Sequence, residues 1–278
     1  MSTSGREQAD LRGVRVLVTG ATSGIGRAMA EALVGAGAAV AITGRDLARA
    51  QAVAAAMAGG SGRATPVAMD VRDEEQVARG VAEVLERLDG LDVLVNNAGV
   101  GMRNVNPRFL TDPQPFWKVS RRAFEDVIAT NLTGYFLVAV AVVPHLLQAG
   151  RGRIVNVTMN HSTMRRRGFV PYGPSRAGAE SLSRIMEADL AGSGVSVNML
   201  LPGGATATGM IPDELTPEVR ERLLPASVMA APILWLCSAA AEGVTGERIV
   251  AAEFDGWLEE WKRRAGSPAA RPPGSEGG

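Results

Sequence analysis

Short apolar runs alternate along this chain with longer stretches of helical periodicity. Residues 14–18 are valine-rich and read as a buried strand, and residues 27–34 continue helically. Further strands are predicted at residues 39–43, 64–69, 91–95, 153–157, 195–200 and 248–252. Helices are predicted between them at residues 47–57, 74–88, 123–147, 172–190 and 228–240, the longest with Pro144 near its end. This alternation predicts a mostly parallel sheet of about seven strands with helices on both faces. Residues 205–225 show little periodicity and hold Pro212, Pro217 and Pro225, which predicts a mobile loop with short helical turns. No internal repeat or second domain is visible. One domain over residues 11–255 is expected, followed by an extension over 256–278 whose Pro/Gly/Ser-rich end, from residue 266, is expected to be disordered.

Composition narrows the class. With 278 residues, 46% of them apolar, the chain can bury a large core. Its formal net charge is zero, which argues against nucleic acid or an anionic membrane as the main partner. Cys237 is the single cysteine, so no intrachain disulfide is possible. Residues 1–10 are polar and lack an apolar signal core. The apolar run 132–147 is short for a span and contains Gly134, Pro144 and His145. A cytoplasmic protein without a membrane segment is the expectation, and no metal site is expected.

Candidate chemistry begins where the first strand turns into the first helix. Thr19 and Gly20 are followed by Thr22, Ser23, Gly24, Ile25 and Gly26, giving G-x-x-x-G-x-G. Such a turn leaves unpaired N–H groups and a helix dipole facing outward, which attract a phosphate. Small residues let the backbone approach a pyrophosphate, although they also serve packing alone. Strand two ends in Thr43, Gly44 and Arg45 with no acid before the arginine. Arg45 suits a 2′-phosphate through its planar donors and favours NADP over NAD, with Asp46 a competing partner for it. Asp70 and Val71 end strand three, where the carboxylate can accept from an adenine amino group or cap the next helix. Asn96, Asn97, Ala98 and Gly99 end strand four, where small and amide residues let the backbone pass under a ribose.

Together with Asn131, Tyr172, Pro202 and Gly203, these motifs carry a resemblance. Over roughly residues 13–255 the chain resembles the short-chain dehydrogenase/reductase family. The resemblance implies a doubly wound (Rossmann-type) domain, a nicotinamide cofactor, a small carbonyl or alcohol substrate, and a homodimer or homotetramer. It implies Tyr172 as proton donor, with a cation one turn later and Asn131 holding a relay water. Arg176 stands where the family has lysine. Positions four apart share a helix face, so its fixed charge can still stabilise a phenolate. The family's serine falls on Met159, which has no hydroxyl; Thr158, Ser162 and Thr163 are the nearby candidates, with Ser162 preferred. Pro202, Gly203 and Thr206, with Thr208 close by, match the segment that cradles the nicotinamide, and Met210, Ile211 and Leu215 predict an apolar lid.

Several flanking segments are left with two readings. Phe109, Phe116 and Trp117 wall a pocket or pack on the surface. Arg165, Arg166 and Arg167 are a solvated run or meet an acidic substrate or carrier. Phe254, Trp257, Leu258 and Trp261 share one side of a short helix and are expected to pack on the core or on a neighbouring subunit, closing the substrate cleft. The function so implied is an NADP-dependent carbonyl reductase or alcohol dehydrogenase. The alternative is a related dinucleotide-binding protein with impaired catalysis and a sensing or scaffold role.

Overall fold

The computed structural model describes residues 9–212 and 215–265 of the chain. At its centre lie seven parallel strands: β1 (Arg15–Val18), β2 (Ala39–Gly44), β3 (Arg63–Ala68), β4 (Val93–Asn96), β5 (Gly152–Val157), β6 (Val195–Leu201) and β7 (Arg248–Val250). Their order is β3-β2-β1-β4-β5-β6-β7. The chain builds outward from β1 to β3 and then crosses back to place β4 on the other side of β1. That reversal opens a crevice at the carboxyl ends of β1 and β4, the place where open α/β sheets bind ligands.

The helices are α1 (Gly24–Gly35), α2 (Leu47–Ala56), α3 (Glu74–Leu88), α4 (Arg121–Ile128), α5 (Gly134–Ala149), α6 (His161–Met164), α7 (Tyr172–Asp189), α8 (Pro217–Glu221), α9 (Ala230–Cys237) and α10 (Phe254–Ala265). α1, α2, α9 and α10 bury their apolar stripes on one sheet face; α3, α5 and α7 cover the other. Strands buried on both faces explain the near-continuous Val/Ile/Leu runs of the sequence. Asp46 and Asp73 cap α2 and α3, each accepting from a backbone N–H three residues on, at 3.2 and 3.0 Å.

The predicted helix over 123–147 is one continuous helical run of α4 and α5, joined by a π turn at Ala129–Thr133. Residues 121–149 are long and apolar enough, by composition, to cross a membrane. Here Val138, Val142 and Leu146 are buried against the sheet, while Phe136, Val140 and Leu147 form an exposed stripe. The predicted loop 205–225 contains α8 and is closed at its base by Leu224 N–H to Ala205 O (2.8 Å) and Ala207 N–H to Leu224 O (2.9 Å).

The C-terminal aromatic stripe packs on its own core. Trp257 and Trp261 meet Trp235 of α9 edge-on, with ring centres 5.4 and 5.3 Å apart, and Phe254 lies 6.0 Å from the same ring. The stripe does not line the cleft, so the expectation that it closes the cleft is corrected: its partner lies on the opposite side of the sheet from α7. Residue 255, the expected domain edge, falls inside α10. Residues 266–278 lie outside the described residues.

Candidate active site

A cleft of about 1120 Å³ runs across the carboxyl ends of the strands. One half is built by the turns after β1, β2, β3 and β4. The Gly20–Gly26 turn is fastened to the end of β4 by side chains. Thr19 Oγ1 accepts from the Asn97 and Ala98 N–H groups (2.9 and 3.0 Å), and Asn97 Nδ2 donates to Thr19 O and Gly20 O (2.9 and 3.2 Å). A Cβ on Gly20 would stand 2.7 Å from Ala98 Cα, and one on Gly26 2.3 Å from Asn97 Nδ2. Two glycines of the motif are thus demanded by this close approach, before any ligand is considered.

The residues fit a dinucleotide. Ser23, the N-cap of α1, makes no side-chain cap bond, and the first turn of α1 holds no acid. Its amide donors and positive dipole end are therefore left for an anion. Gly20, Thr22, Ser23, Gly24, Ile25, Gly26, Arg45, Asp70, Val71, Asn97, Ala98 and Gly99 all line the cleft. Arg45 has no hydrogen-bond or ion-pair partner among the described residues; Asp46 caps α2, and the Asp70 carboxylate feels the Arg45 charge only at longer range. Asp70 does not cap α3, since Asp73 does. Its carboxylate instead pairs with Arg72 at 2.7 Å, and that hydrogen bond outweighs burial and holds the group below the usual carboxylate range.

Tyr172 opens α7, one turn before Arg176, and both line the cleft with Pro202, Gly203 and Thr206. Arg176 is almost wholly buried. Its Nη1 donates to Tyr135 Oη at 2.6 Å and to Val157 O at 3.0 Å. The guanidinium carbon lies 5.5 Å from the ring centres of both Tyr135 and Tyr172. Nη2 occupies the space beside Gly99, where a Cβ would stand 2.4 Å from it. Burial works against the charge, yet the two tyrosines beside it outweigh burial, and Arg176 is held above the usual arginine range. Nε is buried without a partner among the described residues. Burial pushes the Tyr135 hydroxyl the other way from ionisation, partly offset by Arg176.

Asn131 sits fully buried in the π turn. Its Oδ1 accepts from Val100 N–H (2.8 Å), and its Nδ2 donates to Val100 O (3.0 Å) and Ser175 Oγ (3.1 Å). Ser175 in turn donates to Tyr172 O at 2.8 Å. The amide is a clamp between the exit of β4 and the first turn of α7, with both ends occupied.

Met159 is buried with Met102, Phe109 and Phe169 in a small apolar cluster against Tyr172. Ser162 is exposed on α6 and does not line the cleft, which corrects its placement as the substitute donor. Thr158, Asn160 and Thr163 do line it. The Thr158 hydroxyl points to Glu180 (3.4 Å), and Asn160 Nδ2 donates to Gly203 O (2.8 Å). Thr163 keeps its hydroxyl unpartnered among the described residues. Glu180 further binds Arg248 Nε (2.5 Å) and faces His161 (3.2 Å), fastening α7 to β7. Of the three aromatic residues left with two readings, Phe109 lines the cleft, while Phe116 and Trp117 lie on the surface, 67% and 71% exposed. Thr208, Met210, Ile211 and Leu215 line the cleft, and Arg103 Nη1 donates to Ile211 O at 3.2 Å. Sequence reasoning missed Tyr135, although as one of two tyrosines, four residues past Asn131, it had a visible signal.

A family model of short chain dehydrogenases matches residues 14–218. The chain belongs to the short-chain dehydrogenase/reductase family. As a member it is an oxidoreductase of CH–OH/C=O groups built on a dinucleotide-binding fold. It is 35% identical over 248 residues to the 3-oxoacyl-[acyl-carrier-protein] reductase of Aquifex aeolicus (strain VF5), covering 86% of this chain and 96% of that one. A putative short-chain alcohol dehydrogenase of Sinorhizobium meliloti 1021 superposes with TM-score 0.77 at 33% identity, over 90% of this chain and 98% of its own. The 3-ketoacyl-(acyl-carrier-protein) reductase of Brucella melitensis, solved with NADH, superposes with TM-score 0.75 at 29% identity, over 86% and 97%. Family relatives thus bind a nicotinamide dinucleotide on this framework.

Proposed function

We propose that this family member is an NADP-dependent carbonyl reductase or alcohol dehydrogenase in which Tyr172 exchanges the proton with the substrate oxygen. The observation that carries this reading is the buried Arg176 guanidinium, 5.5 Å from the Tyr172 ring at the floor of the cleft. A fixed cation there favours the phenolate left when the proton departs. Bound along the lining residues, a reduced nicotinamide dinucleotide supplies hydride. Arg45 receives the 2′-phosphate, and Gly20 to Gly26 with the α1 N-terminus receive the pyrophosphate. Asn131 clamps the loop that carries Gly99 against α7. Thr163 takes the place of the missing serine and donates to the carbonyl. A second copy of the chain covers the exposed Phe136, Val140 and Leu147 stripe, giving a soluble cytoplasmic homo-oligomer.

The loss of a hydroxyl at Met159 costs a donor worth about 2.7–4 kcal/mol of barrier unless it is replaced. Slow turnover is therefore expected when NADPH oxidation is followed against a broad ketone panel. Met159→Ser combined with Arg176→Lys is expected to raise it. The apolar burial of Met159 favours a second reading, a non-catalytic dinucleotide-binding protein. Silence of both proteins across the panel, with NADPH bound, selects that reading.

A further inference from the structure

The wall of the cleft beside Tyr172 is hydrocarbon. Met102, Phe109, Met159 and Phe169 form a cluster separate from the two sheet faces, and the ring of Tyr172 packs against it. At the edge of that wall stands Arg166, which lines the same cleft. Its guanidinium carbon lies 5.1 Å from the centre of the Phe169 ring. Stacking on an aromatic face orients a guanidinium while leaving its N–H donors free. The platform beneath is braced. Phe169 meets Phe109 edge-on at 5.6 Å, and Gly168 lies so close to Pro113 that a Cβ would stand 2.6 Å from that ring.

The Arg166 side chain has no hydrogen bond or ion pair among the described residues. Both carboxylates lining the cleft, Asp70 and Asp126, are already engaged by Arg72, at 2.7 and 3.7 Å. They belong to the half built from the ends of β3 and α4. Arg165 and Arg167 flank Arg166 and are exposed, adding positive potential at the same rim. An oriented, unpaired cation at the end of an apolar wall suits one shape of molecule: a hydrocarbon body that ends in an anion.

We propose that Arg166 is an anion subsite and that the substrate is a ketone, or the matching alcohol, whose apolar body ends in a carboxylate. The planar fork of the guanidinium matches a carboxylate through two parallel N–H donors. This inference rests on the oxidoreductase reading of Tyr172, and its test separates the two. Medium-chain oxo-alkanoic acids and their methyl esters are compared as substrates with NADPH, in the wild type, Arg166→Gln and Arg166→Lys. The ester keeps the carbonyl and the hydrocarbon and removes only the charge. The wild type is expected to prefer the acid about tenfold in kcat/KM, through KM, the size of one exposed charge-assisted contact. Arg166→Gln brings the acid-to-ester ratio close to one, and Arg166→Lys retains part of the preference. A ratio that Arg166→Gln leaves unchanged, or a wild type that favours the ester, overturns the subsite. If neither compound is turned over, it is the oxidoreductase reading that fails. Calorimetry of the oxo acid on NADPH-loaded protein then decides the subsite alone: binding weakened by Arg166→Gln supports it, and binding equal in the two proteins overturns it.

Discussion

Arg176 holds its place through a second tyrosine. A guanidinium is larger than an ammonium and cannot be buried without partners. Tyr135 Oη and Val157 O supply them, and Gly99 leaves the room. Tyr135→Phe removes the shorter of the two bonds. It is expected to lower kcat several-fold with little change in NADPH affinity, read from steady-state kinetics beside cofactor titration. A loss of stability with an unchanged kcat makes Tyr135 only a packing residue. If Arg45 meets the 2′-phosphate as proposed, Arg45→Ala should weaken NADPH by about tenfold, roughly 1.4 kcal/mol, and NADH hardly at all. Titration of both cofactors against both proteins checks this, and equal losses contradict it. Most residues of the dinucleotide half are legible in the sequence because each lies at a strand end fixed by the valine-rich runs. The Tyr135–Arg176 bond is not, since it joins positions 41 apart. The sequence does not tell Ser162 from Thr163 because α6, only four residues long, has no readable periodicity, and one residue's step around a helix turns a side chain from cleft to solvent.

Among elements, the strands and the long helices follow from apolar periodicity and from aspartate caps written in the sequence. The π turn does not. Residues 121–149 read as plain helix, and the extra residue per turn is accommodated where Asn131 reaches back to Val100, a contact made across the fold. The helical side of α10 was equally readable, but its partner was not, because Trp235 lies on α9 and the pairing is tertiary. Truncation after Asp255 removes Trp257, Leu258 and Trp261 from that stack. It should cost about 2–4 kcal/mol and lower Tm by roughly 5–10 °C, while leaving the cleft intact. Thermal unfolding followed by circular dichroism measures it. An unchanged melting temperature would show that the stack contributes nothing.

For the whole molecule, the order β3-β2-β1-β4-β5-β6-β7 brings every strand's carboxyl end to one side and leaves the reversal beside β1. Loops of unrelated length then converge there: the glycine turn, the Asn97–Gly99 exit, the 102–120 segment and the 205–211 segment. Alternation of element types made this topology legible, and the motifs marked residues that line the half of the cleft built after β1 to β4. The substrate half was less legible because its walls come from irregular segments whose direction depends on tertiary contacts such as Phe109 on Phe169. Tyr172, beside the buried Arg176, is the proposed proton-exchanging group. The direct measurement is single-turnover NADPH oxidation with an active ketone by wild type and Tyr172→Phe, each shown by fluorescence to be saturated with cofactor. Abolished turnover with unchanged NADPH binding is the predicted result. Turnover by Tyr172→Phe at the wild-type rate would contradict the account.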